Sequence, residues 1–490
     1  IPYFFAVDKD KNFTLTSKLF TKEHPLFLGE YHQAFEKSHL YADFGYTKGY
    51  RKETTKKTLG EKGHLFAKYI KTFKGSGNSE NSLEVELQNI TEDKYLNLYR
   101  IDSNLVDYNK NTLESRINYT HIDEDIFLGF NASVFETLEA KDSNKYEYVL
   151  PEITFQRNLL SDEKFGNIDF TSNYRANQYE TNKFTNFLIN DFNWSLGEKN
   201  YNSGIQGQFL GHLRNLNYET KNVDLFKKDS TSEIFGALGY LSELNLQKTI
   251  KDAVHKFKPK LLIKYAPGSM RKDLHGNRLT ADSAFKMDRL SNTEIFETGL
   301  SSTFGFDYNI QKDNSSFDFS VAQVLSEKEN KKMSSISSLD EKLSDVVASS
   351  NFKLNNKLNL NYNFSIDQNY SELNYSDVGA TLDLNPLQIS FNYLLENKHV
   401  GNKEYFNTKM EYSNNDKGLF SFETKRSLIT NSAEFYNLSY EYINDCLRAG
   451  LVYRREFYND SELDPEDSLM FKVTLVPFGS IVSPTFSSNE

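Results

Sequence analysis

The feature that most constrains this chain is an alternation of apolar and polar residues that recurs along its whole length. In the last third, every second residue of several segments is Phe, Tyr, Leu, Ile or Val, while mostly polar residues fill the positions between them. A period of two over about 4–8 residues is typical of a strand with one apolar and one polar face. The apolar positions are Phe304, Phe306, Tyr308 and Ile310; Phe317, Phe319 and Val321; Leu358, Leu360, Tyr362, Phe364 and Ile366; Leu387, Ile389, Phe391, Tyr393 and Leu395; and Leu469, Phe471, Val473 and Leu475.

Turn-forming residues separate these segments from one end of the chain to the other. Clusters of Asn, Asp, Ser, Lys and Gly stand at 8–11, 414–418 and 459–461, and Asn, Asp and Gly tolerate the positive φ of tight turns. The same alternation runs through the N-terminal half, as in 83–87. A long amphipathic helix is not predicted, and 336–347 fits a short helix or a polar loop equally well. The pattern predicts an all-β, antiparallel protein.

Composition narrows the class of protein further. Only 38% of the 490 residues are apolar, but Phe 39 and Tyr 30 make the chain rich in aromatic residues, which disordered chains lack. A single Cys excludes a disulfide-stapled scaffold, and the net charge of −11 argues against nucleic-acid binding. The sequence has no linker-like shift in composition, no fixed-period repeat and no run of about 18 apolar residues. We therefore predict neither a domain boundary nor a transmembrane helix.

A sheet as long as this one must close on itself or pack against a second sheet, because open edges invite aggregation. At roughly 19 residues per strand and connection, the chain holds about 25 strands, near the upper range of bacterial outer-membrane barrels. The alternative is a soluble protein of tandem β-sandwiches, for which we expect a Val- and Ile-rich core and a repeat of about 100 residues. Phe, Tyr and Leu dominate the apolar face instead, as in the aromatic girdles of membrane barrels. We predict a large single-chain antiparallel transmembrane β-barrel of about 25–26 strands.

The two chain ends orient this barrel. Outer-membrane barrels end on the periplasmic side, which makes 468–478 the last strand, 461–467 an external loop and 443–446 a periplasmic turn. Cys446 then lies beside an oxidising compartment. If 8–11 is also a periplasmic turn, the strand 1–7 descends from the outside. We therefore expect the natural protein to extend N-terminally of Ile1.

Three ordered landmarks resemble one family. They are the opening IPYFFAVDKDKNFTLTSKLF, the stretch ADSAFKMDRLSNTEIFETGLSSTFGFDY from 281 to 308, and the ending LSYEYINDCLRAGLVYRREFY followed by SLMFKVTLVPFG. Together they resemble the LptD family of outer-membrane lipopolysaccharide-assembly proteins. The resemblance follows the chain from its first residues to its last strands.

The resemblance implies a 26-stranded barrel with an N-terminal periplasmic jelly-roll, of which 1–490 would be the barrel domain without the jelly-roll and first strand. It implies assembly of lipopolysaccharide into the outer leaflet of the Gram-negative cell outer membrane, through the lumen and a lateral gate between the first and last strands. The implied partners are lipopolysaccharide, an LptE-like lipoprotein plug and a periplasmic Lpt bridge that reaches the missing N-terminal domain. No cofactor, metal or nucleic acid is expected.

The family's gate and its signature loop can be assigned to residues of this chain. Proline donates no hydrogen bond to a strand ladder, so Pro2 would weaken pairing at a seam, although it also suits the start of an edge strand. Pro477 would shorten the closing strand or simply end it. By resemblance, the gate comprises Pro2, Ser468, Leu469, Phe471, Val473, Leu475 and Pro477. The signature loop comprises Asp282, Ser283, Phe285, Asp288, Arg289, Glu297 and Gly299.

Cys446 matches the second of two adjacent cysteines that form disulfides with the N-terminal region in this family. The first position is Asp445 here, so the resemblance allows at most one such bridge, to a partner outside this chain. We expect Cys446 to be bridged in the full-length protein, although a lone Cys is also often incidental.

The chemistry-bearing residues form no catalytic pattern, so we predict that the chain is not an enzyme. The nine His include no His-x-x-x-His pair, and Gly-x-Ser-x-Gly and Walker motifs are absent. The acidic residues Glu462, Asp464, Glu466 and Asp467 suit a divalent cation, but a solvated external loop is the preferred interpretation. A barrel lipase stays open in principle. The main alternative is a passive large porin, and a total of 57 basic against 68 acidic residues leaves the sign of the luminal charge open.

Overall fold

The protein is described by a computed structural model. The described residues are 2–20, 24–53, 56–75, 77–138, 140, 142–180, 182–274, 276–398, 401–414, 418–429, 431–443, 447–456, 467–475, 479–482 and 486–487.

Extended segments make up almost all of the regular structure. The strands are β1 (Pro2–Asp8), β2 (Lys11–Lys18), β3 (Leu26–Phe35), β4 (Ser38–Glu53), β5 (Lys56–Lys74), β6 (Glu80–Ile90), β7 (Thr112–Asp123), β8 (Ile126–Thr137), β9 (Tyr146–Asp162), β10 (Gly166–Tyr179), β11 (Lys183–Ser195), β12 (Lys199–Asn200), β13 (Ile205–Lys221), β14 (Thr231–Leu244), β15 (Leu246–Ile250), β16 (Ala253–Ala266), β17 (Gly299–Lys312), β18 (Ser315–Ser326), β19 (Val346–Leu354), β20 (Leu358–Ile366), β21 (Leu373–Asp383), β22 (Leu387–Glu396), β23 (Lys403–Asn414), β24 (Gly418–Ser427), β25 (Ser432–Ile443), β26 (Leu447–Glu456), β27 (Asp467–Leu475), β28 (Gly479–Val482) and β29 (Phe486–Ser487).

Helical structure is confined to single turns in the described residues. These are α1 (Tyr95–Leu98) and the 3-10 turns Asp142–Asn144, Ser283–Phe285 and Ser335–Ser337. The segment 336–347, which the sequence left open, is mostly loop and runs into β19. In the part of the chain that the structure describes, no helix has the length and apolar character needed to span a bilayer.

All strands belong to one antiparallel sheet in which neighbours in sequence are neighbours in space. In three places, two consecutive segments pair with the same neighbouring strand and so count as one strand position. Both β11 and β12 pair with β13, both β14 and β15 pair with β16, and both β28 and β29 pair with β27. The 29 segments therefore form 26 strand positions. This confirms the predicted all-β fold of a large antiparallel barrel sheet.

Cross-strand register gives the sheet one apolar and one polar face. Phe304 pairs with Leu261 on one face, and Ser301 pairs with Lys264 on the other. Phe304 is 44% exposed, whereas Lys264 is 2% exposed beneath a loop. We call the apolar side the outer face and the polar side, against which the long loops pack, the inner face. The alternation read from the sequence is therefore a true division between two environments.

The connections also divide between the two ends of the strands. The three longest, 91–111, 267–298 and 327–345, all leave the same end of the sheet, which we call the loop end. The opposite, turn end has connections as short as 9–10 and 313–314. Long loops at one end and tight turns at the other are characteristic of outer-membrane barrels.

Buried apolar residues concentrate where these loops fold back onto the inner face. The loop 91–111, the N-terminal cap, buries Tyr95, Leu96, Ile101 and Val106 against strand residues such as Phe66. The loops 222–230, 267–298 and 327–345, together the central cap, form separate clusters. The largest contains Met270, Leu279, Ala284, Ile295, Ala322, Val324, Met333, Leu339 and Val347. The hydrophobic core of this protein therefore lies under its caps.

The first and last strand positions lie side by side. Residues of β1 and β28 approach within 8 Å between Cα atoms, yet no hydrogen-bonded ladder joins these two strands in the described chain. The prediction that 468–478 is the last strand needs correction, because β28 and β29 follow β27 and pair with it. These segments are too short to show an alternation in the sequence. It is β28, not β27, that lies beside β1.

Candidate functional site

The site begins with the signature loop, which occupies most of 267–298 in the central cap. A compact turn forms at its centre, where the Ser283 backbone N–H donates to Thr280 Oγ1 at 3.1 Å and the Thr280 N–H donates to Ser283 Oγ at 2.8 Å. Ala284 is fully buried, while Asp282 points to solvent. The Lys260 ammonium lies 4.4 Å from the centre of the Phe285 ring. This turn seats the loop on the inner face of the sheet.

Three charged residues meet under the loop. The Arg289 guanidinium donates to both carboxylate oxygens of Glu297, at 3.0 Å from Nε to Oε2, and Lys264 Nζ lies 2.8 Å from Oε2. Arg289 also donates to Ser301 Oγ at 2.8 Å and approaches Thr303 Oγ1 at 3.4 Å. All of these side chains are buried. A buried carboxylate shared by two cations fixes the loop to β16 and β17.

The ionisation of Glu297 follows from this arrangement. Burial alone would raise the pKa of its carboxyl group, but the charges and hydrogen bonds of Arg289 and Lys264 outweigh burial and lower the pKa to about 2. Asp288, earlier in the same loop, behaves differently: burial raises its pKa, and the nearby Arg214 only partly offsets this. The pKa values of these two acids are therefore shifted in opposite directions.

A second buried group lies beside the first. Arg214 in β13 forms a two-pronged pair with Asp191 in β11, at 2.7 Å from Nε and 2.9 Å from a terminal nitrogen. Its remaining nitrogen donates to Asp288 at 2.9 Å and to the Ile295 carbonyl at 3.3 Å. Bidentate arginine–carboxylate pairs combine strength with a fixed geometry. Arg214 thus links β11 and β13 to the signature loop at two points, Asp288 and Ile295.

Further ion pairs fasten the loop over a wide span of the sheet. Glu294 pairs with Arg175 in β10, Arg271 pairs with Glu233 in β14, and Arg278 pairs with Glu396 in β22. The Arg278 guanidinium also lies 3.5 Å from the centre of the Tyr375 ring. The signature loop is therefore tied to strands from β10 to β22, across the loop end of the lumen.

The loop 327–345 completes the central cap. Asp345 accepts hydrogen bonds from Ser365 at 3.0 Å and Asn374 at 2.8 Å, and Lys398 Nζ lies 3.4 Å away. The two loops also contact each other, since the Asp273 N–H donates to the Lys332 carbonyl at 2.7 Å. The central cap is one packed unit rather than a set of independent loops.

The N-terminal cap has its own polar anchor. His64 Nε2 lies 2.8 Å from Asp43 Oδ1, and its Nδ1 lies 3.3 Å from the Tyr95 hydroxyl. Burial, with the charge of Asp43 and the nearby Tyr99, raises the pKa of Tyr95 well above its usual range. Lys62 Nζ and Glu92 form an ion pair of 3.0 Å. Tyr95 therefore remains a neutral hydroxyl that fixes the cap on β4 and β5.

The structure brings together only part of the predicted site. Of the signature residues, Asp288, Arg289 and Glu297 enter the buried ion-pair groups, and Gly299 starts β17 with a φ of +118°. The partners on the strands, such as Lys264 and Arg214, were missed. In the sequence, each of these partners is visible only as a charged residue at a polar position of a strand. The sequence does not show which loop residue it pairs with.

The predicted gate is only partly visible. Pro2 lies in β1; Ser468, Leu469, Phe471, Val473 and Leu475 lie in β27, with Leu469 41% exposed on the outer face. Pro477, Cys446 and the acidic residues Glu462, Asp464 and Glu466 lie outside the described residues, and Asp467 starts β27. Among the described residues, no group of three His, Cys, Asp or Glu suited to a metal ion occurs.

An antiparallel sheet of 26 strand positions, apolar outside, polar inside and capped by tied loops, defines a large membrane β-barrel. The chain matches the family model LptD, LPS transport system D, over residues 71–440. It therefore belongs to the LptD family, which acts in lipopolysaccharide transport at the outer membrane. A comparison with curated proteins finds no match.

Proposed function

We propose that this protein moves lipopolysaccharide into the outer leaflet of the Gram-negative outer membrane, through its lumen and a lateral gate between β1 and β28. One observation supports the position of the gate. The strands β1 and β28 lie side by side without a hydrogen-bonded ladder, whereas consecutive strand positions elsewhere in the described sheet are hydrogen-bonded. Membership of the LptD family supports the substrate. The chain moves its substrate without making or breaking covalent bonds in it.

The composition of the seam favours opening there. Pro2 has no N–H to donate, and β28 has only four residues, so few hydrogen bonds oppose separation of β1 from β28. Other positions in the described sheet would have to break hydrogen-bonded ladders, as between β16 and β17, which pair from Val254–Gln311 to Ala266–Gly299. The seam is therefore the position where parting two strands costs least.

The caps favour a lateral exit over a vertical one. Ion pairs hold 267–298 across the loop end from β10 to β22, and the N-terminal cap covers the inner face of β3 to β7. Acyl chains that left between β1 and β28 would enter the bilayer directly and would not cross the polar caps. An LptE-like lipoprotein plug and a periplasmic Lpt bridge complete the proposed pathway, with Cys446 bridged to a segment outside this chain.

A reversible lock tests the gate. In the full-length protein, a panel of cysteine pairs between β1 and β28, including one at Ala6 and Ser480, should stop the arrival of lipopolysaccharide at the cell surface until a reductant is added. The matched control joins Ala6 to Asn12, which already pair in the ladder of β1 and β2, and should leave export intact. Variants that carry only one of the two new cysteines show whether it forms a disulfide with Cys446 instead.

The lock also separates this proposal from a passive porin. Export that continued with the β1–β28 seam fully cross-linked would overturn the lateral gate. Steady ion conductance through the intact protein, unaffected by the lock and without lipopolysaccharide transport, would favour the porin.

A further inference from the structure

A polar cavity of about 130 Å³ lies in the lumen beneath the N-terminal cap. Its walls come from the inner faces of β2, β3 and β4 and from 103–105 of the cap. The side chains that matter for its chemistry are Asn12, Glu30, His32, Tyr41, Asp43 and Ser103. None of these residues belongs to the signature loop or to the predicted gate.

Two groups in this wall have unused hydrogen-bonding capacity within the described residues. Glu30 has no hydrogen bond or ion pair for its carboxylate there, and His32 Nε2 is buried without a partner. Asp43, by contrast, is already held by His64 at 2.8 Å. Glu30 is exposed, so its carboxylate is open to a ligand in the cavity. His32 Nε2 is buried, and because buried polar atoms in native proteins are almost always paired, an unpaired one beside a cavity indicates a ligand or water that completes it.

The same wall presents stacked planar rings. The rings of His32 and Tyr41 lie parallel, with centroids 4.4 Å apart and an angle of 8°, and His39 extends the stack at 6.2 Å from His32. His32 and Tyr41 are directly paired across β3 and β4, so the sheet itself sets their alignment. A flat ring surface next to a carboxylate, an amide and hydroxyl groups suits a sugar, whose C–H face packs on rings while its hydroxyls bond to the polar groups.

The charge of the cavity selects among ligands. The lining contains two carboxylates, Glu30 and Asp43, and no Lys or Arg, so it disfavours phosphate. Too few apolar side chains line it to accept an acyl chain. A volume of about 130 Å³ suits one monosaccharide ring and not a longer glycan.

We propose that this cavity is a saccharide subsite that takes one neutral sugar ring of lipopolysaccharide as its oligosaccharide passes through the lumen. The inference rests on the proposed function, since transport supplies the glycan. Thr14, which lines the cavity, pairs with Phe4 of β1 in the ladder. A sugar held here therefore lies one strand from the seam while the acyl part of the same molecule enters it.

Glycan binding to the full-length protein, purified with its partners in detergent, tests the subsite. The probe is the deacylated, dephosphorylated oligosaccharide of lipopolysaccharide, followed by saturation-transfer NMR and calorimetry. Glu30→Gln and Tyr41→Ala should each weaken binding about tenfold, because both remove groups that pair with the sugar. The control Glu411→Gln, an inner-face acid paired with Lys409 at 2.8 Å, should leave binding unchanged.

Each result decides for or against the subsite. No binding to the wild type, equal binding by all variants, or binding of inorganic phosphate in place of the glycan would overturn it. Resistance of the barrel to denaturation by detergent on gels confirms that each variant is folded. Because glycan binding is measured without transport, a failed seam lock would refute the gate and leave this measurement untouched.

Discussion

Lys264 in β16 and Glu297 at the end of the signature loop form an ion pair of 2.8 Å in which both side chains are almost fully buried. Two charges removed from water are stabilised only while both are present, because removing one leaves the other uncompensated. Arg289 shares the same carboxylate, so one acid neutralises two buried cations. The attachment of the central cap to the sheet therefore depends strongly on Glu297.

Glu297→Gln should release the signature loop from the sheet. The variant leaves Lys264 and Arg289 buried without their counterion, at a cost of about 3–5 kcal/mol. Limited proteolysis should cut within 267–298 in the variant and not in the wild type. Glu327→Gln is the control, since its pair with Lys328 is exposed and longer, at 3.9 Å, and it should change nothing. Equal protection of the loop in both variants would contradict the assignment.

Acidification should loosen the cap through the same residue. The folded pKa of Glu297, about 2, lies below its ordinary 4.5, so its contribution to stability is complete above about pH 4.5 and is lost as the pH falls toward 2. A nitroxide on Asp282→Cys, with Cys446 replaced by Ser, should become mobile over that range. In Glu297→Gln the label should be mobile already at neutral pH. A wild-type transition that survived this substitution would assign the effect to another acid.

Gly276→Ala should separate the two loops of the central cap. Gly276 has a φ of +47°, and an added Cβ would collide with the Ser334 side chain. Both the left-handed backbone and the collision oppose any side chain there, so we expect a loss of about 1–3 kcal/mol. Hydrogen exchange should rise in 327–345. Gly60→Ala, where an added Cβ meets nothing within 4 Å, is the matched control and should leave exchange unchanged.

Breaking the tie between Arg278 and Glu396 should open the lumen to ions. Glu396 is only 4% exposed, so Glu396→Gln removes a buried carboxylate and leaves the half-buried Arg278 guanidinium without this counterion at the far edge of the cap. We expect larger and noisier single-channel currents in planar bilayers than for the wild type. Lys409→Gln, which removes an exposed inner-face charge, serves as the control. Identical currents in Glu396→Gln and the wild type would mean that this tie does not close the lumen.

The alternation in the sequence predicted the fold because it records a physical boundary. Phe304, Phe306 and Tyr308 share a face since side chains in a strand alternate, and the sheet places them on the outside. The signature loop was also found from sequence, but the partners of its charges were not. Arg278 and Glu396 lie 118 residues apart, and only the register of the intervening strands brings them together. The short strands β28 and β29 carry no alternation and were missed for that reason.

The distance in sequence between Arg278 and Glu396 also orders the assembly of the protein. The strands β17 to β22 lie between the signature loop and Glu396 in the sequence, so this tie cannot form until those strands are paired. Closing so long a separation is entropically costly and slow compared with forming neighbouring hairpins. A sheet in which β17 to β22 are not yet paired therefore stays open at the loop end. The central cap can span the loop end only after these strands are in place.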